Sequence, residues 1–348
     1  MTDPTAAATE GIATLSVSDT APATTTPAAA AAAAAPPPPT APTDDEEISE
    51  EAIAAVRAQA KINTAKAATV PAPPSKIDLA AANVPEPPFV AKNYLSKFRL
   101  DGKVAVVTGG ARGLGFCMAE GLCSAGLAGV AILDVQQDLG LDAIAKLHKA
   151  YGVKAQFYKV DVRDEHSVGD VIDSIVRDLG RIDILVNSAG VADLTHAEDY
   201  PPEKFRRVID INLNGSFLVA QAVGKHMIAQ GSGGSIVFIA SMSGSIVNWP
   251  QPQCAYNASK AGVRHLCKSL AAEWAVHRIR CNSISPGYMD TALNRAYTTL
   301  FNEWKERTPL GRLGDPDELS GAAIWLASEA SAFCTGSDII IDGGYTVI

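Results

Sequence analysis

The chain has 348 residues, of which 47% are hydrophobic and 19% charged, with a formal net charge of −9. That is enough apolar sequence for one large core, and the acidic balance argues against nucleic acid or an anionic membrane surface as a partner. No apolar run reaches the roughly 18 residues a spanning helix needs. The six cysteines (Cys117, Cys123, Cys254, Cys267, Cys281, Cys334) form no C-x-x-C pair, and the six histidines show no ligating spacing. Neither a disulfide framework nor a metal site is expected.

Residues 1–85 are expected to be a disordered extension. They hold the alanine run Ala28 to Ala35, the prolines Pro36 to Pro39 and clusters of threonine and acid, with almost nothing large to bury. Within them, residues 49–67 suit one short helix, with Ser49 as N-cap and Glu50 and Glu51 in its first turn. No Lys or Arg precedes Arg57, and acids stand already at Asp3 and Glu10. That fits neither a transit peptide nor a secretory signal, so a cytoplasmic location is expected. Prolines from Pro71 to Pro88 mark a linker into a domain over residues 86–348.

In that domain, apolar runs at 103–110, 129–135, 154–162, 183–190, 234–241, 280–287 and 338–344 alternate with helix-length segments at 137–150, 165–179, 202–229 and 255–277. Near-continuous apolar strands separated by helices imply a parallel sheet covered on both faces. The fold class expected is α/β: a single doubly wound Rossmann-type domain with a seven-stranded parallel sheet.

The first run leads into TGGARGLG, Thr108 to Gly115, which opens a helix. Gly109, Gly113 and Gly115 would let the backbone turn tightly and approach a pyrophosphate at the helix N-terminus. The second run ends at Asp134, where a carboxylate accepts from ribose hydroxyls and opposes a 2′-phosphate, so NAD is expected over NADP. Arg112 pulls the other way, because it could approach a 2′-phosphate; its plainer reading is a solvated first-turn residue. Asp161, closing the third run beside Val162, either contacts the adenine edge or caps a loop.

Further along come NSAG (187–190), Asn212, IASMSG (239–244), YNASK (256–260) and PGYMDT (286–291). Together with the Gly-rich turn, this set resembles the short-chain dehydrogenase/reductase family over residues 95 to 348. The family's usual N-N-A-G reads Asn187-Ser188-Ala189-Gly190 here. The resemblance implies that Leu114, Val162, Asn187, Ala189, Gly190, Pro286, Gly287 and Thr291 join the cofactor site, Thr291 near the nicotinamide carboxamide. A helix N-cap is the structural alternative for Thr291, and both roles can hold together.

The chemistry needs a partner for the hydroxyl proton when a hydride moves between a carbinol and nicotinamide. An unperturbed tyrosine, with pKa about 10, is a poor base at neutral pH. An ammonium at i+4 on the same helix face would lower it, so Lys260 is expected to activate Tyr256 and to reach the nicotinamide ribose. Ser241 is the expected donor to the substrate oxygen, preferred over Ser243 by alignment through Gly244. Asn212 is expected, in the middle of a long helix, to hold a water linking Lys260 to solvent. A polar residue satisfying a local backbone group is the alternative.

The longer loop in SMSGSIVNWPQPQCAYNASK resembles the fungal polyol and ketose branch of the family. Asp193, Asn248, Gln253, Tyr288 and Asn294 are candidate contacts to a polyhydroxylated substrate, beside Ser241 and Tyr256. Oxidation of a polyol to its 2-ketose with NAD is favoured, arabinitol slightly ahead of mannitol, with xylitol/xylulose next. An NADPH-dependent carbonyl reductase and a non-catalytic cofactor-bound scaffold or redox sensor are the competing readings. The resemblance also suggests a homotetramer through residues 202–229 and 255–277.

Overall fold

Every residue of β1, Val104–Thr108, is buried, as a strand covered on both faces requires. It is an interior strand of the sheet in a computed structural model that describes residues 54, 57, 58, 92–291 and 294–348. The expected extension and most of the expected 49–67 helix lie outside the described residues, although Ala54, Arg57 and Ala58 are helical. The chain divides into two units, Met1–Pro87 and Pro88–Ile348.

The second unit runs β1, α1 (Gly113–Ser124), β2 (Gly129–Asp134), α2 (Gln137–Tyr151), β3 (Lys154–Lys159), α3 (Glu165–Leu179), β4 (Ile184–Asn187) and α4 (Pro202–Ile209). It continues with α5 (Gly215–Gln230), β5 (Gly234–Ile239), α6 (Cys254–Trp274), β6 (Ile279–Pro286), α7 (Phe301–Arg307), α8 (Ser320–Ala327) and β7 (Asp338–Ile341). All seven strands are parallel, in the order β3-β2-β1-β4-β5-β6-β7. Val106 pairs with Ala131 on one side and Leu185 on the other, so the strand order reverses between β1 and β4. Ligands of such sheets bind beyond the carboxyl ends of the strands at that switch.

Two cores flank the sheet. One joins Val168, Ile172 and Ile175 of α3 to Val219 and Val223 of α5 and Val263 and Leu270 of α6. The other joins Met118 and Leu122 of α1 to Leu147 of α2 and Ala323 and Leu326 of α8. Helix α3 shows why the sequence folds this way locally: its apolar residues recur at i, i+4 and i+7, and Asp164 caps its first turn by accepting from the Ser167 N–H at 3.2 Å.

Three local features differ from expectation. β3 and β5 stop at Lys159 and Ile239, where their neighbours' ladders end, so Asp161 and Ser241 each lie two residues beyond a strand. The single helix expected over 202–229 is continuous but widens through a π turn, Asp210–Asn214, between α4 and α5. Asn212 is mid-helix as expected, within this wider turn, and the Ser216 hydroxyl donates to its carbonyl oxygen at 2.7 Å. Among the described residues no helix is long and apolar enough to cross a membrane, and no group of three or more His, Cys, Asp or Glu could hold a metal ion.

Candidate active site

At the carboxyl end of β1 the Thr108 hydroxyl donates to Asn187 Oδ1 at 3.1 Å and accepts from the Ser188 and Ala189 N–H groups at 3.0 Å. Asn187 Nδ2 donates onward to the Ser216 carbonyl at 2.8 Å. These bonds hold the NSAG segment against the Gly-rich turn, so closely that a Cβ on Gly109 would lie 3.0 Å from Ala189 Cα. Gly109 and Gly113 both adopt left-handed backbone, with φ of 61° and 58°. At Gly113, by contrast, a Cβ would meet nothing within 4 Å. Arg112 is exposed at the N-cap of α1 and makes no side-chain capping bond, so its side chain satisfies none of the first-turn N–H groups. Leu114 is half-buried and Gly115 packs against the Gly109 carbonyl.

Asp134 ends β2 as expected, and its carboxylate accepts from the Ala111 N–H at 3.3 Å and the Gln136 N–H at 3.0 Å. It therefore borders the Gly-rich turn directly. Asp161 is paired with Arg163 at 2.6 Å, whose guanidinium bond holds the carboxyl below its ordinary range, while Val162 beside it is buried.

The proton-transfer candidates gather at the ends of β5 and α6. Lys260 is 5% exposed, its Nζ lies 5.6 Å from the Tyr256 ring centre, and it donates to the Ile239 carbonyl at 2.7 Å. Desolvation lowers Lys260 from 10.5 to about 8. Tyr256 does not follow the expectation that Lys260 lowers its pKa. Burial raises it, and the opposing influence is the Ser241 hydroxyl beside it. The Lys260 ammonium gives its hydrogen bond to the Ile239 carbonyl, and none to Tyr256 is found among the described residues.

Ser241 is buried, accepts from the Ser243 N–H at 3.1 Å and donates to the Ser243 hydroxyl at 3.1 Å. Gln253 Nε2 donates to Ser243 at 3.3 Å and to Asn257 Oδ1 at 3.0 Å. Ser243 thus faces the loop amide, whereas Ser241 is the serine that bears on Tyr256. Asn212 accepts from the Val191 N–H at 2.8 Å and donates to the Val191 carbonyl and the Ser259 hydroxyl, both at 2.9 Å. Both of its donors are therefore used, and only acceptor capacity remains for a water. Gly190 lies beside it: a Cβ there would be 3.2 Å from Asn212 Oδ1 and 3.5 Å from Lys260 Nζ.

Beyond β6, which ends at Pro286, the Gly287 N–H donates to the Ile341 carbonyl at 2.9 Å. Tyr288 stacks on Trp304 of α7 with ring centres 4.2 Å apart; its hydroxyl donates to Gln251 Oε1 and accepts from Asn248 Nδ2 at 3.2 Å. Thr291 acts as a turn cap, its hydroxyl accepting from the Asn294 N–H at 3.3 Å, and Asn294 Nδ2 donates to the Met289 carbonyl at 2.7 Å. Asp193 accepts from the Thr195 hydroxyl at 2.6 Å and faces Lys204 at 4.0 Å, so its carboxylate already has partners. Sequence reasoning missed Thr108, Ser259 and Trp304. The first two lie inside quoted motifs, whereas nothing local marks Trp304 as the platform under Tyr288.

The family described as Enoyl-(Acyl carrier protein) reductase matches residues 109–346. A sorbose reductase of Schizosaccharomyces pombe is 45% identical over 254 residues, covering 72% of this chain and 98% of that protein. An NADP-dependent mannitol dehydrogenase of Hypocrea jecorina is 43% identical over 267 residues, covering 76% and 99%.

The chain belongs to the short-chain dehydrogenase/reductase family.

As a short-chain dehydrogenase/reductase it is an oxidoreductase, and the family carries its hydride on NAD(P). A solved gluconate 5-dehydrogenase from Burkholderia cenocepacia, in complex with NADP and tartrate, superposes with a TM-score of 0.70 at 38% identity, covering 74% of this chain and all of that one. The residues present fit a dinucleotide. The left-handed Gly113 borders open space, the α1 N-terminus has no side-chain cap, and a carboxylate ends β2. Gly109, Gly113, Gly115 and the first-turn N–H groups would hold the pyrophosphate, and Asp134 the adenosine ribose.

Proposed function

We propose that this protein interconverts a five- or six-carbon polyol and its 2-ketose, using NAD(H). The observation that carries the reading is the arrangement of Ser241, just beyond β5, with Tyr256 and Lys260 in the first turns of α6, Lys260 lying against Gly190 of the NSAG segment. The nicotinamide, when bound, takes or returns the hydride. In the oxidative direction Tyr256 takes the hydroxyl proton, and Ser241 holds the same oxygen as the carbinol becomes a carbonyl. Reduction reverses the roles, with Tyr256 as acid. Lys260 keeps a cationic group within reach of the site, and Asn212 braces the Val191 backbone next to it.

NAD is favoured because the Asp134 carboxylate would oppose a 2′-phosphate. The amides of Asn248, Gln251 and Gln253, on the loop between Ser241 and Tyr256, suit a substrate rich in hydroxyls. Similarity to the sorbose reductase supports a ketohexose pair as a substrate alongside arabinitol. NADPH-dependent ketose reduction is the second reading, supported by the exposed Arg112 and by the NADP named for two relatives. A homotetramer and a cytoplasmic location belong to the same proposal.

A panel of C4 to C6 polyols and ketoses, assayed with both cofactors, tests it. Turnover of a polyol with NAD at least about tenfold above NADP supports the reading, a ratio of one order being what a single charge contact supplies. Absence of activity on every polyol and ketose would reject it, and a preference for NADPH with a ketose would select the second reading.

A further inference from the structure

Tyr256, Lys260 and Arg264 stand at successive turns of α6, so one stripe of that helix carries a phenol, an ammonium and a guanidinium. The two cations end on backbone carbonyls that bracket Ser241. Lys260 Nζ donates to Ile239, two residues before it, at 2.7 Å. Arg264 Nη1 donates to Gly244, three residues after it, at 2.9 Å.

The Gly244 end is tightly fixed. Its N–H donates to the Ser241 carbonyl at 2.9 Å, closing the turn, and a Cβ on Gly244 would lie 2.8 Å from the Lys260 carbonyl carbon. Arg264 is itself held, because its Nε donates to Asp338 Oδ2 at 2.8 Å. The other Asp338 oxygen accepts from the Ser283 and Ser285 hydroxyls at 2.7 Å each. The Arg264 and Asp338 side chains are 23% and 8% exposed, where charge-assisted bonds are strong and poorly screened. The guanidinium thus joins β7 and α6 to the turn that begins at Ser241.

We propose that Arg264 is a positioning residue for the reaction, fixing the Ser241 hydroxyl relative to Tyr256 by tying Gly244 to α6 and β7. This rests on the reading that Ser241 acts on the substrate oxygen. Arg264 touches none of the reacting atoms, and its planar fork supplies two directed bonds that a lysine cannot reproduce together.

A double-mutant cycle of wild type, Arg264→Met, Ser241→Ala and the double variant, assayed on the best polyol, tests the proposal. Arg264→Met is expected to lower kcat about tenfold with KM within about threefold, while the same change in the Ser241→Ala background alters kcat by less than about twofold. Arg264→Lys should fall between wild type and Arg264→Met, and it replaces Arg264→Met in the cycle if that variant does not fold. A full tenfold loss in the Ser241→Ala background, or an unchanged kcat in Arg264→Met, overturns the proposal while leaving the functional reading intact. Full turnover by Ser241→Ala alone overturns that reading and this inference with it.

Discussion

Lys260 Nζ lies 5.6 Å from the centre of the Tyr256 ring yet gives a hydrogen bond to the Ile239 carbonyl at 2.7 Å. The phenol is therefore raised by burial, with Ser241 alone opposing. The phenolate needed to accept a proton in oxidation is scarce at neutral pH, whereas the phenol needed to donate one in reduction is abundant. We expect kcat/KM for polyol oxidation to climb by about one log unit per pH unit from neutrality upward, and ketose reduction to stay flat there. Tyr256→Phe should lower both by about 10²- to 10⁴-fold without loss of dinucleotide binding. Initial rates between pH 6 and 10 in both directions provide the check; an oxidation rate independent of pH would remove Tyr256 from the proton path.

Burial lowers Lys260 from 10.5 to about 8, which ties stability to pH. Between those values the unfolded chain binds a proton that the folded chain does not, so stability rises with pH across that window. Below about 8 both states are protonated and the folded form carries the whole desolvation penalty, on the order of 3 kcal/mol. Lys260→Met removes the titration. Its Tm relative to wild type should be most favourable at pH 7 and should decline by about 5 °C toward pH 10.5. Paired thermal melts at the two pH values measure this, and a constant difference would mean that Lys260 is not desolvated.

The strands, their parallel pairing and the Tyr256–Lys260 spacing were legible because apolar runs and i, i+4 positions are local properties of the chain. The direction of the Tyr256 shift was not, since spacing places two side chains on one face without saying which acceptor the ammonium chooses. The π turn was hidden for a similar reason. Nothing between Pro202 and Gln230 breaks helical periodicity, and the wider turn goes with Asn212 bonding both backbone groups of Val191, 21 residues away. Loop contacts such as Tyr288 on Trp304 join segments that only the tertiary fold brings together.

In the proposed reading Asp134 selects the cofactor; its oxygens accept from the Ala111 and Gln136 N–H groups. Asp134→Asn keeps an oxygen acceptor for one of these bonds and removes the charge. We expect the ratio of kcat/KM for NADPH over NADH to rise at least about tenfold, with polyol KM little changed. Adding Arg112→Ala should reverse part of the gain if the exposed guanidinium meets the 2′-phosphate. Steady-state kinetics with each cofactor separates the two charges, and an unaltered ratio in Asp134→Asn would show that the carboxylate only braces the turn.

Gly109 and Gly113 share left-handed backbone but differ in what surrounds them, so alanine should damage them differently. Each substitution imposes strain of about 1–2 kcal/mol. At Gly109 the new methyl would also press on Ala189 Cα at 3.0 Å, forcing apart the two loops that Thr108 ties together. Gly109→Ala should therefore lose about 2–4 kcal/mol, seen as a Tm drop near 10 °C. At Gly113 the methyl meets nothing within 4 Å, so stability should fall by only the strain. That open space is where the dinucleotide pyrophosphate would approach the backbone. Gly113→Ala should raise the dinucleotide Kd at least about tenfold, because the methyl occupies the approach rather than the core. Melting curves and NADH fluorescence titrations on both variants give the comparison. Unchanged dinucleotide affinity in Gly113→Ala would move the phosphate site away from this turn.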